Sequence, residues 1–314
     1  MTEVSAFRLT GVIERIFFAL GFSSAAARTV AWSLVDADLR GVTSLGTMLV
    51  PIYVERIRRG SVSRVESAEV LHDFGAVATL DAHHGLGQLT GDHAMRIAID
   101  KARTYGIGAV AVRHAFHFGA AFRYARLAAD NGLIGIAAAN THPLMPAPGG
   151  ERPVVGNNPL AIAVPLPCGP PIVLDMSMSE TGRPDTPIGG PKGYGLALMI
   201  DVLTGILSGG AFGSDVRCLY GDAAVPYNCA HFFLALDPAA FGDITAFSQR
   251  AVQLADEVES SPTQPGVYRV FLPGQLEQER AETAFQAGIE LDAHVLAGLC
   301  ETAASLGVDP GLPA

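Results

Sequence analysis

Residues 76–139 read AVATLDAHHGLGQLTGDHAMRIAIDKARTYGIGAVAVRHAFHFGAAFRYARLAADNGLIGIAAA, and this stretch decides the fold. Ala76–Leu80 is a short apolar run of strand type, followed by a glycine-rich turn at Gly85–Gly91. Asp92–Tyr105 carries apolar residues at helical spacing, Ala109–Arg113 reads as a strand, Ala120–Ala129 as a helix and Ile134–Ala139 as a strand. Toward the C-terminus, Ala161–Pro165, Ile172–Met176 and His231–Leu236 are further strands, and Gly193–Leu207 and Ile244–Glu257 further helices. Toward the N-terminus, Phe7–Leu20 places Leu9, Val12, Ile13, Ile16 and Phe17 on one helical face and stops at Gly21. Ser23 is an N-cap for a second helix that ends near Leu39, and a third runs over Met48–Ile57 to Gly60. The tail, Glu277–Leu306, is again helical. Strands and helices mix without clean alternation, which fits an α/β class of α+β type better than a barrel.

The chain has 314 residues, 49% hydrophobic and 17% charged, with a mean hydropathy of +0.31. That is enough apolar surface for a large core, and the low charged fraction points to surface buried between subunits. The net charge of −10 without a basic stripe argues against a nucleic-acid partner, because phosphate contacts supply most of that affinity. The apolar stretch from Gly193 to Phe212 approaches the length of a membrane span, but it carries Asp201 and several glycines, so it is read as a buried helix and no membrane association is expected. Met1–Val4 lacks the basic start of a secretory signal, and Cys168, Cys218, Cys229 and Cys300 form no CxxC pair; both favour a cytoplasmic location with free thiols. Neither Cys229-x-His231 nor His114-x-x-His117 has standard ligand spacing, so no metal is expected.

Two glycine loops bear on cofactor binding. Gly85-Leu-Gly87-Gln-Leu-Thr-Gly91 resembles a dinucleotide fingerprint, but its third glycine is one residue late and no acidic residue closes the following strand. A tight turn feeding a helix is the better reading. Gly189-Gly190-Pro191-Lys192-Gly193-Tyr194-Gly195 puts an ammonium and free backbone N–H groups at a helix start, which suits an anion such as a cofactor phosphate.

Seven blocks in chain order resemble the malate/L-lactate dehydrogenase-like family, which includes ureidoglycolate dehydrogenase, diketogulonate reductase and cyclic-imine reductases. They are Arg40-Gly-Val-Thr-Ser44-Leu45-Gly46 with Tyr53-Val-Glu-Arg56; Gly85-Leu-Gly-Gln88; His117-Phe-Gly-Ala120; Gly156-Asn-Asn-Pro-Leu160; Asp175-Met-Ser177; Gly190-Pro-Lys-Gly-Tyr-Gly195; and Pro273-Gly-Gln275. The resemblance implies a non-Rossmann, largely antiparallel cofactor sheet spanning residues 71–276. It also implies a homodimer and bound NAD or NADP, and the helical patterns at both ends predict a lobe built from residues 1–70 and 277–314 on the dimer and substrate side. Carried over by position, Asp175, Met176, Ser177, Pro191, Lys192, Gly274 and Gln275 match cofactor-contacting segments, with Gln275 standing where the family usually has Glu. Asn140 falls beside the nicotinamide and substrate, and His117 matches a histidine given an acid/base role in some members.

The chain departs from the family in three places. Ser44-Leu45-Gly46 stands where the family has Ser-His-Gly, and that His is the usual proton donor. Loss of a positioned general acid costs ~10²–10⁴-fold in rate. Leu49 stands where the family has an Arg that grips the substrate carboxylate, a charge-assisted contact Leu cannot make. Leu45 and Leu49 are expected on one face of a turn or helix. Third, the resemblance implies a few dozen more residues between Ser177 and Gly190 than the Met178–Gly189 segment supplies, a shortening expected to open the site or remove dinucleotide binding.

The sequence therefore predicts an NAD(P)H-dependent reductase of a C=O or C=N in a neutral or apolar small molecule, not a standard 2-hydroxy-acid dehydrogenase. His117 or Tyr53 would supply the proton, with Ser44 and Asn140 beside them and Leu45, Leu49 and Phe118 lining the substrate pocket. Two alternatives are a non-redox enzyme on the same scaffold and a catalytically silent binding subunit.

Overall fold

The computed structural model describes residues 2–180 and 183–312. Met1, Pro313 and Ala314 of the expected helical lobe, and Thr181 and Gly182 of the shortened segment, lie outside the described residues. The chain opens with β1 (Thr2–Val4), α1 (Ala6–Ala19) and α2 (Ser24–Leu39), then two single 3-10 turns at Thr43–Leu45 and Thr47–Leu49, then α3 (Val50–Arg59). Next come β2 (Glu69–Phe74), β3 (Val77–Asp81), α4 (Gly87–Tyr105), β4 (Ile107–Ala115), α5 (Phe122–Ala129) and β5 (Ile134–Ala139). A small pair, β6 (Met145–Pro146) and β7 (Pro153–Val155), precedes β8 (Leu160–Val164) and β9 (Ile172–Met176). A hairpin of β10 (Ser179–Glu180) and β11 (Arg183–Pro187) leads to α6 (Pro191–Asp201) and a π-helical turn at Val202–Ile206. The chain ends with β12 (Cys229–Leu236), α7 (Ile244–Glu259), α8 (Gln275–Ala287), β13 (Ile289–Leu291) and α9 (Ala293–Ala304).

Seven strands form the central sheet in the order β2-β3-β4-β12-β5-β8-β9. Only β3 and β4 run parallel, joined by α4; every other neighbouring pair is antiparallel. The mixed α/β class with a mostly antiparallel sheet is thus as the sequence predicts. β12 lies between β4 and β5, so His231 pairs with Val112 on one side and Ala139 on the other. Leu9, Val12, Ile13, Ile16 and Phe17 of α1 are fully buried, each a stabilisation of about 1.5–3 kcal/mol relative to exposure. Ser23 caps α2 through its hydroxyl and the Ala26 N–H. β1 pairs antiparallel with β13, which ties the two chain ends together, and α3 packs on α9.

Three local expectations are corrected. α4 begins at Gly87 rather than Asp92, so most of the glycine-rich turn is its first helical turn. Leu45 and Leu49 do not share a face, because extended backbone at Gly46 (ψ −149°) separates the two 3-10 turns. The apolar helix after Lys192 is not buried: Gly193, Ala197, Ile200, Asp201 and Thr204 face the protein, whereas Met199, Leu203, Ile206 and Leu207 are 43–56% exposed.

Candidate active site

A cavity of about 830 Å³ opens between the Ser44–Leu45 turn, the His117–Gly119 loop, the ends of β5 and β9, and the chain leading into α8. It lies in the size range of ligand sites. Its floor follows from close packing at Gly87. A Cβ there would sit 2.4 Å from the Phe116 carbonyl oxygen and 2.7 Å from the Phe118 Cα, so only glycine lets the His117 loop cross the start of α4. The glycine loop serves this crossing of two backbones. The Ser44–Leu45 turn is held in a comparable way. Asp38 accepts from the Thr47 backbone N–H at 2.9 Å, and its carboxylate occupies the space a Gly46 side chain would need. Burial pushes the Asp38 carboxyl up to about 6, against the hydrogen bonds from Thr47.

Behind His117 runs a buried string of polar groups. Gln88 donates through Nε2 to the Tyr53 hydroxyl at 3.1 Å, and that hydroxyl lies 2.6 Å from His117 Nδ1. Tyr53 is fully buried, and burial raises its phenol well above the usual value. His117 is half-buried and reached from the cavity, yet its surroundings are dry enough to lower its imidazole to about 4. Beside it, His231 stacks under Phe118 with ring centroids 4.6 Å apart and sits 3.3 Å from the Cys229 thiol. Burial, with the proximity of His117, lowers His231 to about 3, and burial raises the Cys229 thiol. Both groups are neutral near pH 7, and such a thiol is a weak nucleophile.

The opposite wall is polar. Asp175 is exposed on the cavity wall; desolvation by its neighbours raises its carboxyl to about 6, against the backbone N–H groups of Phe122 and Ala121 and with Glu277 adding to the rise. The Phe122 N–H donates to Asp175 at 2.8 Å. Ser177, Met176 and Gly274 line the same wall, and the β10–β11 hairpin contributes Ser179, Glu180 and Pro184. Pro170, Pro171, Phe271 and Leu272 give that end an apolar surface.

The structure therefore brings Ser44, Leu45, His117, Phe118, Asn140, Asp175, Met176, Ser177 and Gly274 around one cavity, with Tyr53 directly behind. It leaves the others outside. Leu49 is in the core at 1% exposure. Pro191 and Lys192 sit exposed on the first turn of α6, away from the lining. Gln275 closes its own loop, accepting from Leu272 N at 3.0 Å and donating to Glu259 at 2.8 Å. Asn140 reaches the cavity, but its amide is committed to the protein: it donates to Asp201 and the Ala211 carbonyl and accepts from Ala230 N. It fixes the π-helical turn against β5 and is not free to polarise a carbonyl. Sequence reasoning missed Arg126, His231 and Tyr227, and passed over Arg40 and Cys229 as site residues. For His231 the Cys229-x-His231 spacing was a local signal, weighed only as a metal pair.

Comparison with known proteins fits this picture. The family model described as malate/L-lactate dehydrogenase matches residues 4–185 and 184–300, and the chain belongs to that family. The two matched ranges meet at residues 184–185, inside the Met178–Gly189 segment that the sequence singles out. Malate dehydrogenase of Pyrococcus horikoshii is 34% identical over 346 positions, covering 96% of this chain and 95% of that protein. Those positions outnumber this chain's 314 residues, so the alignment runs with gaps in it. The solved structure of the P. horikoshii enzyme superposes with a TM-score of 0.92 over 98% of this chain and 96% of that one. Ureidoglycolate dehydrogenase (NAD(+)) of Escherichia coli is 30% identical over 92% of both chains. The (2R)-3-sulfolactate dehydrogenase (NADP(+)) of Chromohalobacter salexigens is 32% identical over 72% of this chain and 78% of that one. The protein is an enzyme of an oxidoreductase family whose members are dehydrogenases using NAD or NADP.

Proposed function

We propose that the protein is an NAD(P)H-dependent reductase of a C=O or C=N group in a small molecule without a carboxylate beside the reacting carbon. The observation that carries this reading is the Gln88–Tyr53–His117 string ending in the same cavity as Asp175, Ser177 and Gly274, with apolar Leu45 on the wall. The residues present fit a dinucleotide: a carboxyl and a hydroxyl for ribose oxygens, guanidinium groups for phosphate, and the proline-lined end for a flat base. The nicotinamide, when bound, supplies the hydride.

The remaining work falls to the chain. With the Gln88 amide donating to Tyr53, the phenol hydrogen is left for His117 Nδ1, and the neutral ring carries its hydrogen on Nε2. Neutral His117 polarises the substrate oxygen or nitrogen by a hydrogen bond, and its protonated form delivers the proton at that atom. Ser44 adds a hydroxyl, and Leu45 and Phe118 exclude water and favour an apolar substrate. Lys192 is assigned no cofactor contact within this cavity.

The dinucleotide would lie on an antiparallel sheet edge, β9, and not at a Rossmann crossover. The sheet unit of residues 71–276 would carry it, and the lobe from both termini would close the substrate side. The exposed apolar face of α6 and its π-helical turn fits a homodimer interface, since contiguous apolar patches on monomers are rare. Four free cysteines accord with the cytoplasm. One feature favours the non-redox alternative, the break between the two family matches at residues 184–185, close after β9. A screen of ketones and cyclic imines with NADH and NADPH tests the proposal: turnover should fall about 10²–10⁴-fold in His117→Asn. Equal turnover in the variant would remove His117 from the chemistry.

A further inference from the structure

We propose that Arg40 and Arg126 form an anion site in the wall of this cavity, built to take a phosphate of the dinucleotide. The inference rests on the reductase reading for the source of the anion, and on geometry for the site itself. Arg40 is 8% exposed at the C-terminal end of α2, with its guanidinium 4.9 Å over the Phe122 ring. Arg126 lies one turn further along α5. Both donate from Nη1 to a single neutral acceptor, Gln278 Oε1, at 3.1 and 3.2 Å. Their Nε edges are held from outside the cavity, Arg40 by Asp36 at 3.1 Å and Arg126 by Asp130 at 3.5 Å. Neither Nη2 has an acceptor among the described residues.

Two guanidinium groups thus converge on one neutral amide, with Asp36 and Asp130 pairing their outer edges and each Nη2 left for a further acceptor. Guanidinium forks match the oxygens of a phosphate or carboxylate. The acidic groups on the cavity wall, Asp175, Glu180 and Glu277, belong to β9, β10 and α8, and they oppose an anion placed beside them. The site replaces neither Leu49 in the core nor the exposed Lys192; it uses cations of its own.

The test measures calorimetric binding of inorganic pyrophosphate, NADH and malate to the full chain. The variants are Arg126→Met, which keeps the apolar stem of the side chain, Arg126→Lys, which keeps its charge, and Arg103→Met, a surface control. Charge-assisted hydrogen bonds set the expected loss in Arg126→Met at about 10- to 100-fold for both pyrophosphate and NADH. Recovery in Arg126→Lys, no change in Arg103→Met, and displacement of pyrophosphate by NADH are also expected. Pyrophosphate and NADH binding indifferent to Arg126→Met would overturn the site and leave the reductase reading standing. Arg126-dependent pyrophosphate binding without NADH binding would sustain the site and overturn the reductase reading. Arg126-dependent binding of malate alone would overturn the phosphate assignment in favour of a substrate carboxylate.

Discussion

His117 is where one side chain's surroundings set the chemistry. Burial holds its imidazole near 4, against the usual 6.5, so at neutral pH it is a hydrogen-bond donor and only rarely an imidazolium. If the imidazolium is the acid, kcat/KM for reduction rises as pH falls, nearly tenfold per unit, and levels off only near pH 4. A plateau already reached at about pH 6.5, the unperturbed histidine value, would contradict this account of the site. Stability moves the opposite way. A histidine with a lowered native pKa contributes stability that is intact above 6.5 and is lost progressively as pH falls through 4, because the unfolded chain binds the proton more readily. Rates at low pH therefore need short assays on protein held at neutral pH. His117 itself was legible in the sequence through its block, but its partner string was not. Tyr53 and Gln88 lie 64 and 29 positions away from it, and only the fold brings their side chains into line.

At the scale of elements, the sequence showed what local periodicity can show. α1 and α5 have one apolar stripe each, and their positions follow from it, whereas α2 is buried on most sides and is placed by its Ser23 cap. β1 and β13 are three residues long, too short for a period-two signal, and exist because each supplies the other's hydrogen bonds. The Gly85–Gly91 loop resembles a phosphate cradle only in part, and the tight turn read from its sequence has a packing cause: backbone lies close against Gly85 and Gly87, and aromatic side chains against Gly91. Gly87→Ala should therefore destabilise the protein by about 1–3 kcal/mol, the usual cost of overpacking, and lower turnover further by displacing the His117 loop. Denaturant midpoints and kinetics on the same preparation check both; an unchanged midpoint would show that the crossing has slack. The arginine pair was out of reach of any local pattern, since Gln278 lies 238 positions from Arg40 and 152 from Arg126.

The whole molecule presents one further problem to sequence reading. A mostly apolar run such as Gly193–Leu207 announces burial without saying against what. In the folded chain it buries a narrow face of small residues against the sheet and leaves its large side chains, Met199, Leu203, Ile206 and Leu207, outward. If a second copy covers them, Leu203→Glu should shift the mass in sedimentation from dimer to monomer, because a charge desolvated in an apolar interface costs several kcal/mol. An unchanged mass would place the interface elsewhere. No helix among the described residues is long and apolar enough to cross a membrane. Family membership is fixed over nearly the full chain, whereas the proposed change of substrate class rests on two residues, Leu45 and Leu49.

The most direct measurement is a titration of the protein with NADH and with NADPH, followed by nicotinamide fluorescence. Saturable binding of one of them below about 1 mM is the result this account predicts, in the range where such enzymes work. No binding of either at that concentration would contradict it, and would leave the cavity around Leu45, Phe118 and His117 to a reaction without a dinucleotide.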